Sequence, residues 1–289
     1  MGYVIRGLPK SKNFRAFAVE CKDVVETIRS LQKLSPVATA ALGRAIAGVA
    51  LLSADLKCGK VLLQINGGGP IGEVLAEGDA EGNLRGTVQH PDVWIEPVSG
   101  KLPVGLAVGK NGFISVVKDL GLKEVYQSST ELVSGEIAED LAYYLTVSEQ
   151  IPSAVALGVL VDTDGSVITA GGFLVQKLPD ATEEEVEELE KLLKELPPVT
   201  KLLSEGHTPE DILKRLFPDI EILEKREVRH RCTCSLEKVE RTLIALGKEE
   251  LEKFLKEGKP VEVQCSFCKT SYTVDLSRIK ELLKSFKED

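Results

Sequence analysis

Four of the six cysteines sit in two closely spaced pairs near the C-terminal end, Cys232-Thr-Cys234 and Cys265-Ser-Phe-Cys268, with 30 residues between the pairs. The surrounding stretch, residues 226–289, is short and poor in aromatics, so it cannot bury a core of the size that holds a domain alone. It needs a staple. Four thiolates complete the tetrahedral shell of one Zn²⁺ and leave no open position, which is the donor set of a structural site. Cys265-Ser-Phe-Cys268 has the usual knuckle spacing, with Val261–Gln264 reading as a strand that leads into it. Cys232, Cys234, Cys265 and Cys268 are therefore the expected ligands of one zinc per chain in the reduced state. His230 is read as a neighbour and not a ligand. Arg229, His230, Arg231 and Lys269 are basic neighbours that favour thiolate, the form oxidants attack. A purely structural zinc ribbon and a redox switch are both compatible with these residues.

Cysteine clustering of this kind points to metal or thiol chemistry in a reducing compartment. The N-terminus MGYVIRGLPKSKNFR carries charges where a signal peptide has its apolar stretch. The longest apolar run, Val37 to Leu52, is interrupted by Arg44 and reads as a buried helix, not a membrane span. A cytosolic protein with no membrane partner is the expectation. Cys21 and Cys58, far from the four, are assigned packing or incidental roles.

The net charge of −9 is unevenly placed. Residues 1–178 carry −3, residues 179–225 carry −8, and residues 226–289 carry +2. Overall acidity disfavours a nucleic-acid binder, which gathers Lys and Arg on one face. The three stretches also differ in pattern. Residues 1–178 read as an N-terminal α/β core. Strands are expected over Asn13–Glu20, Lys60–Asn66, Ile71–Glu77, Asn83–Gln89, Gly112–Asp119, Val155–Val161 and Ser166–Gln176. Helices are expected over Asp23–Lys33, Pro36–Leu56 (opened by the Ser35-Pro36 cap) and Ser134–Gln150. Residues 179–225 read as a helical linker. Val186, Leu189, Leu193 and Leu196 form a narrow apolar stripe on a Glu-rich helix, and Thr208-Pro209 opens a second helix. Like charges at helical spacing weaken such an element, so it is a solvated linker or one that folds only when its stripe is covered. Residues 226–289 add helices over Leu236–Leu246, Lys248–Glu257 and Leu276–Phe286 around the cysteines. The fold class is α+β: a mixed, largely antiparallel sheet domain packed with helices, a helical linker and a small C-terminal zinc-binding domain.

No catalytic centre emerges. Gly105–Asn111 is a residue short of a phosphate loop and ends in Asn, and Gly67-Gly68-Gly69 lacks dinucleotide-loop spacing. No nucleophile elbow or zinc-protease helix is present. Glu136, Glu139 and Asp140 read as a solvated helix face, and no enzyme is expected.

Together with the cysteine pairs, four stretches closely resemble the redox-regulated 33-kDa chaperonin family, also called heat shock protein 33. They are GEIAEDLAYYLTVSEQIPSAVA at 135–156, AGGFLVQKLP at 170–179, GNLRG at 82–86 and CSLEKVERTLIALGKEEL at 234–251. Ser153 and Thr87 depart from the family's commoner Thr and Tyr, and neither touches a thiol. The resemblance spans essentially the whole chain. It implies an ATP-independent holdase for unfolding client proteins, inactive when reduced with zinc on the four cysteines. It also implies Cys232–Cys234 and Cys265–Cys268 disulfides on oxidation, zinc release, unfolding of the linker and a homodimer in the active form. A disulfide across Cys232-Thr-Cys234 closes a very small ring, which suits a reversible bond. Two other readings stay open: a zinc-ribbon nucleic-acid adaptor, and a thiol-disulfide oxidoreductase using Cys265 and Cys268.

Overall fold

A computed structural model describes residues 2–122, 124–284 and 286. The chain divides after Arg231 into two compact units.

The first unit runs in order β1 (Tyr3–Pro9), β2 (Phe14–Glu20), α1 (Lys22–Gln32), α2 (Pro36–Ser53), β3 (Lys60–Asn66), β4 (Val74–Asp79) and β5 (Asn83–Val88). It continues through α3 (Val104–Val108), β6 (Phe113–Asp119), β7 (Tyr126–Glu131), α4 (Ala138–Val147), β8 (Ser153–Val161) and β9 (Val167–Lys177). Three helices follow, α5 (Glu183–Glu195), α6 (Val199–Ser204) and α7 (Pro209–Leu216), then β10 (Ile220–Glu227) and the short β11 (Arg229–His230). One sheet has the order β10-β1-β2-β9-β8 and the other β11-β5-β4-β3-β6-β7. Among the described strands only the β11–β5 pair is parallel. The expected mixed, largely antiparallel architecture is what the chain adopts.

Helix α2 is the centre of this unit. Ser35 Oγ accepts the Ala38 N–H and Pro36 opens the first turn, as the sequence requires of a helix start. From Val37 onward, every residue of α2 except Arg44 and Leu52 is buried. Its length and composition would suffice to cross a membrane. Here it fills one core cluster with Phe17, Val19 and Leu174 of the first sheet and Leu63, Ile65, Val74 and Val116 of the second. Small residues make the approach possible: a Cβ on Gly43 would lie 2.6 Å from Val159 Cγ2.

The opposite face of the first sheet is buried as well. Ile5, Phe14, Ala16, Ala18, Phe173 and Val175 pack against Leu189 of α5, Leu202 of α6 and Ile212, Leu213 and Leu216 of α7. The apolar stripe of the acidic helices is therefore covered, and its cover is a sheet. Thr182 and Thr208 cap α5 and α7 through capping boxes with Glu185 and Asp211. Residues 220–227 continue the sheet as β10, a strand that the helical pattern of this stretch did not announce.

Two boundaries moved for physical reasons. The strand expected from Ile71 starts at Val74, because Ile71 N–H bonds the Ala107 carbonyl and Gly72 turns the chain at φ +69°. The helix expected from Ser134 starts at Ala138. Asp140 accepts the N–H groups of Val133, Ser134, Gly135 and Ile137 and folds those residues into a turn ahead of the helix. Asp140 is fully buried, and Glu136 holds the Gly105 N–H and Arg44. Of the three acids read as a solvated face, only Glu139 is exposed.

The second unit begins at Cys232 and contains α8 (Leu236–Ala245), α9 (Lys248–Glu257), a hairpin of β12 (Val261–Gln264) with β13 (Ser271–Val274), and α10 (Leu276–Lys284). The last helix was expected to reach Phe286; Ser285 on that path lies outside the described residues. Its buried apolar residues are few: Leu243, Leu251, Val274, Ile279 and Leu282.

Candidate metal and redox centre

The site is built on the tip of a hairpin and the start of a helix. Between β12 and β13 the chain folds back as a tight knuckle, with Cys265 N–H bonded to the Thr270 carbonyl and Lys269 N–H to the Cys265 carbonyl, both at 2.9 Å. Lys269 turns the chain at φ +60°. This closure brings Cys265 and Cys268 to one side of the loop. The other pair lies just ahead of α8, whose N-cap Ser235 accepts the Lys238 N–H. Lys238 Nζ reaches back to the Thr233 carbonyl at 2.6 Å and fixes the residue between Cys232 and Cys234.

The four sulfurs all lie within 4.8 Å of one another. Cys232 and Cys265 are 3.7 Å apart and Cys234 and Cys268 3.3 Å, and none is in a disulfide. A tetrahedral ion with thiolate bonds of about 2.3 Å spaces its sulfurs about 3.8 Å apart. The residues present fit a metal ion, and the unit fits a zinc-binding domain. Both of these contacts run between the two sequence pairs, so sulfurs of both pairs meet in one place.

Hydrogen bonds set the thiols apart from one another. Burial works against ionising Cys268, yet the Thr270 hydroxyl and N–H and the sulfurs of Cys234 and Cys265 outweigh it and hold that thiol at about 6. Cys234 moves upward, through burial first and then its bond to Cys268, against a 3.1 Å hydrogen bond donated by the Tyr272 hydroxyl. The Tyr272 hydroxyl is pushed up to about 12 by its bond to Cys234.

Two of the basic neighbours act elsewhere. Arg229 Nε donates to Asn83 Oδ1 at 2.8 Å, and Arg231 stands 4.0 Å from Glu81. What favours the Cys268 thiolate is the hydroxyl and N–H of Thr270. Sequence reasoning missed Thr270 and Tyr272; their period-two spacing after Cys268 was the available signal, once β13 is known to be a strand. His230 is half-buried in β11, beside Leu84 of β5, and the four-sulfur cluster includes no histidine. Burial holds it below the ordinary histidine value. Cys21 is fully buried in the α2 core, which pushes its thiol upward, and Cys58 is exposed.

Comparison with known proteins now decides the family. A family model described as "Hsp33 protein" matches residues 2–275. The chain belongs to the Hsp33 family. The 33 kDa chaperonin of Desulforamulus reducens is 46% identical over 290 residues, covering 99% of this chain and 98% of its own. That of Caldanaerobacter subterraneus subsp. tengcongensis is 45% identical, covering 98% of both. The crystal structure of the 33 kDa chaperonin (heat shock protein 33 homolog) from Thermotoga maritima superposes with a TM-score of 0.89 at 42% identity, over 99% of each chain. As an Hsp33-family chaperone the chain has unfolded protein as its class of ligand, and the stretch matched by the family model takes in all four cysteines.

Proposed function

We propose that this chain is a redox-regulated, ATP-independent holdase of the cytoplasm. Zinc, when bound, holds Cys232, Cys234, Cys265 and Cys268 as thiolates and ties the two pairs together. The four-sulfur cluster carries this reading, because its separations suit one ion while its thiols remain open to oxidation. In this reading a peroxide oxidises one thiolate of each pair to a sulfenic acid, and its O–O bond breaks to release water. The second thiol of the pair then displaces another water and closes the disulfide. Cys232–Cys234 and Cys265–Cys268 are the proposed bonds. Disulfide sulfurs are no longer thiolate donors, so the ion leaves and the small second unit loses its support.

The client surface in this reading is the face of the first sheet beneath α5, α6 and α7. Ile5, Phe14, Ala16, Ala18, Phe173 and Val175 are apolar and lie under an acidic cover. The chain runs from α7 through β10 and β11 straight into Cys232. In this reading, loss of the folded second unit is followed by unfolding of residues 179–225. The active form is a homodimer without a catalytic step.

Zinc content and free thiols, measured on one sample before and after peroxide, test the switch alongside suppression of a heat-unfolding client's aggregation. Four thiols and one zinc should be lost as protection appears. Equal protection by the reduced, metal-loaded protein would overturn the reading.

A further inference from the structure

The face of the first sheet that carries the acidic helices changes character toward the start of β1. Ile5 stands opposite Ala18 and Ala18 opposite Phe173, a row that is wholly buried and apolar. In the next row on that face Tyr3 stands opposite Glu20 and Glu20 opposite Gly171, with Thr169 two residues from Gly171 in β9. The turn between α6 and α7 roofs this row. Gly206 reverses the chain there at φ +90°, and the N–H groups of Gly206 and His207 bond the carbonyls of Leu203 and Leu202, both at 3.1 Å. Between floor and roof lies a cavity of about 250 Å³, with Tyr3, Glu20 and Thr169 on one side and Leu203, His207 and Pro209 on the other.

Two polar groups of the floor are left over. Thr169 is 4% exposed, yet among the described residues its hydroxyl meets no hydrogen-bond partner. Buried hydroxyls are nearly always paired, so this one calls for a partner that enters the cavity. Glu20 is half-buried and accepts the Lys22 N–H at 3.0 Å through one carboxylate oxygen. The Lys22 side chain is exposed, and among the described residues no ion pair takes this carboxylate. Burial pushes it upward. The groups around these two are spent. The Tyr3 hydroxyl and Lys225 Nζ both donate to Glu210. Arg215 Nη2 lies 2.9 Å from His207 Nε2, and since an arginine only donates, that nitrogen accepts and the ring is neutral. The start of α7, which by itself attracts anions, is closed by Asp211, the acceptor of the Thr208 N–H, with Glu210 in the same turn. The unmet charge in the cavity is therefore negative, and it selects a cation. Ile168, Leu203 and Pro209 make much of the remaining lining apolar, which suits a short hydrocarbon body.

We propose that this cavity is a site for a small primary amine, whose ammonium bonds Glu20 and Thr169 while its hydrocarbon end lies against Leu203 and Pro209. Glu20 and Thr169 are diagonal neighbours on one face of adjacent strands, about 7–8 Å apart along the backbone, a gap that one ammonium spans between two side chains. An ammonium brings three donors and no acceptor, so it serves the carboxylate and the hydroxyl oxygen at once. A carboxylate or phosphate ligand would face Glu20, Glu210 and Asp211 instead. The bound amine touches the sheet on one side and the α6–α7 turn on the other, so it binds only while the two are together. Mass action then stabilises the covered arrangement. The amine is thus a brake on uncovering, and in the switch proposed above it delays the appearance of client binding. The site itself does not depend on that switch; the effect on client binding does.

Isopentylamine is the probe, titrated into the reduced, zinc-loaded full chain and followed by nuclear magnetic resonance of the backbone amides and the His207 ring. Saturable shifts at Thr169, Gly206 and His207 are expected in the millimolar range. Isopentyl alcohol and isovalerate, which keep the hydrocarbon body and lose the positive charge, should bind about tenfold more weakly or worse. Glu20→Gln should weaken the amine about tenfold, and Thr169→Val, which keeps the shape of the floor, several-fold. At ten times its dissociation constant the amine should slow exchange of the α6 and α7 amides about tenfold and leave those of α2 unchanged. The absence of saturable shifts overturns the site. Equal binding of the alcohol, stronger binding of isovalerate, or amine binding that survives both substitutions overturns it as well. Saturable binding that slows α6 and α7 yet leaves the onset of client protection after peroxide unchanged supports the site and overturns the cover as the switch.

Discussion

One sheet in this molecule is covered twice, and the two covers are made of different material. On one face lies α2, uncharged but for Arg44 and buried along nearly its whole length. On the other lie α5, α6 and α7, where α5 buries Leu189 and carries Glu183, Glu184, Glu185, Glu187, Glu188, Glu190 and Glu195. The α2 cover shares a core with a second sheet, so removing it would expose two sheets at once. The acidic cover touches a single sheet and is held at its rim by polar contacts, such as Lys12 with Glu188 and the Ser11 N–H with Asp219 at 2.7 Å. Under the proposed switch the deeply buried α2 is the permanent cover and the acid-rich helices are the removable one, with the client surface beneath them.

The strongest challenge to that contrast comes from the metal. Cys265→Ser with Cys268→Ser removes half the donor set, and the support at stake is on the order of 10 kcal/mol. The second unit should lose its protected amides in hydrogen exchange. The amides of α2 should stay protected, and those of α5 to α7 should open. Equal protection of α5 to α7 in this variant would separate the cover from the cysteine unit.

Next comes the grip of each cover. Phe217, just past α7, is 1% exposed and packs on Phe14 with ring centroids 5.6 Å apart. Phe217→Ala should weaken the acidic cover by about 3–5 kcal/mol and give client protection without an oxidant. Ile46→Ala in α2 should cost about 2–5 kcal/mol of the whole first unit and give no such gain. Thermal unfolding followed by calorimetry, with an aggregation assay beside it, reads both. Constitutive protection from Ile46→Ala and none from Phe217→Ala would reverse the roles assigned to the two faces.

The sequence announced the permanent cover better than the removable one. Ser35-Pro36 and an unbroken apolar run specify α2 locally, and the cysteine spacing specifies the metal site because four donors within short loops have few other uses. Strands β1 and β10 were missed for a common reason. Tyr3–Pro9 mixes Gly, Arg and Pro, and Ile220–Glu227 is mostly charged, so neither alternates as a half-buried strand does. β10 is a strand because β1 pairs with it across more than two hundred residues, and β1 lies between β10 and β2. Thr270 and Tyr272 were missed similarly: only the hairpin register carries them to the sulfurs. Asp140 was misread since a helix periodicity cannot say that the preceding five residues will wrap around its carboxylate.

The smallest effect concerns how the removable cover is latched. Glu210, in the first turn of α7, accepts the Tyr3 hydroxyl at 2.6 Å and Lys225 Nζ at 2.9 Å, while Lys225 Nζ lies 3.7 Å from the centre of the Tyr3 ring. Burial alone would raise this carboxyl, but the hydrogen bonds from Tyr3 and Lys225 overcome it and the group sits below the ordinary glutamate value. A carboxyl depressed on folding adds stability above its unfolded value, about 4.3, and loses it as the pH falls through the folded value. The latch is therefore complete at neutral pH and fails only in acid. Lys225 is largely exposed, so solvent screening limits the contribution, and Glu210→Gln should cost about 1 kcal/mol. Exchange of the α7 amides should be faster in that variant at pH 7 and should converge with wild type only once the pH falls below the folded value of Glu210, itself under about 4.3. A difference that persists undiminished into acid would show that Glu210 acts through packing or helix capping, and the polar rim would then contribute nothing to the hold of the removable cover.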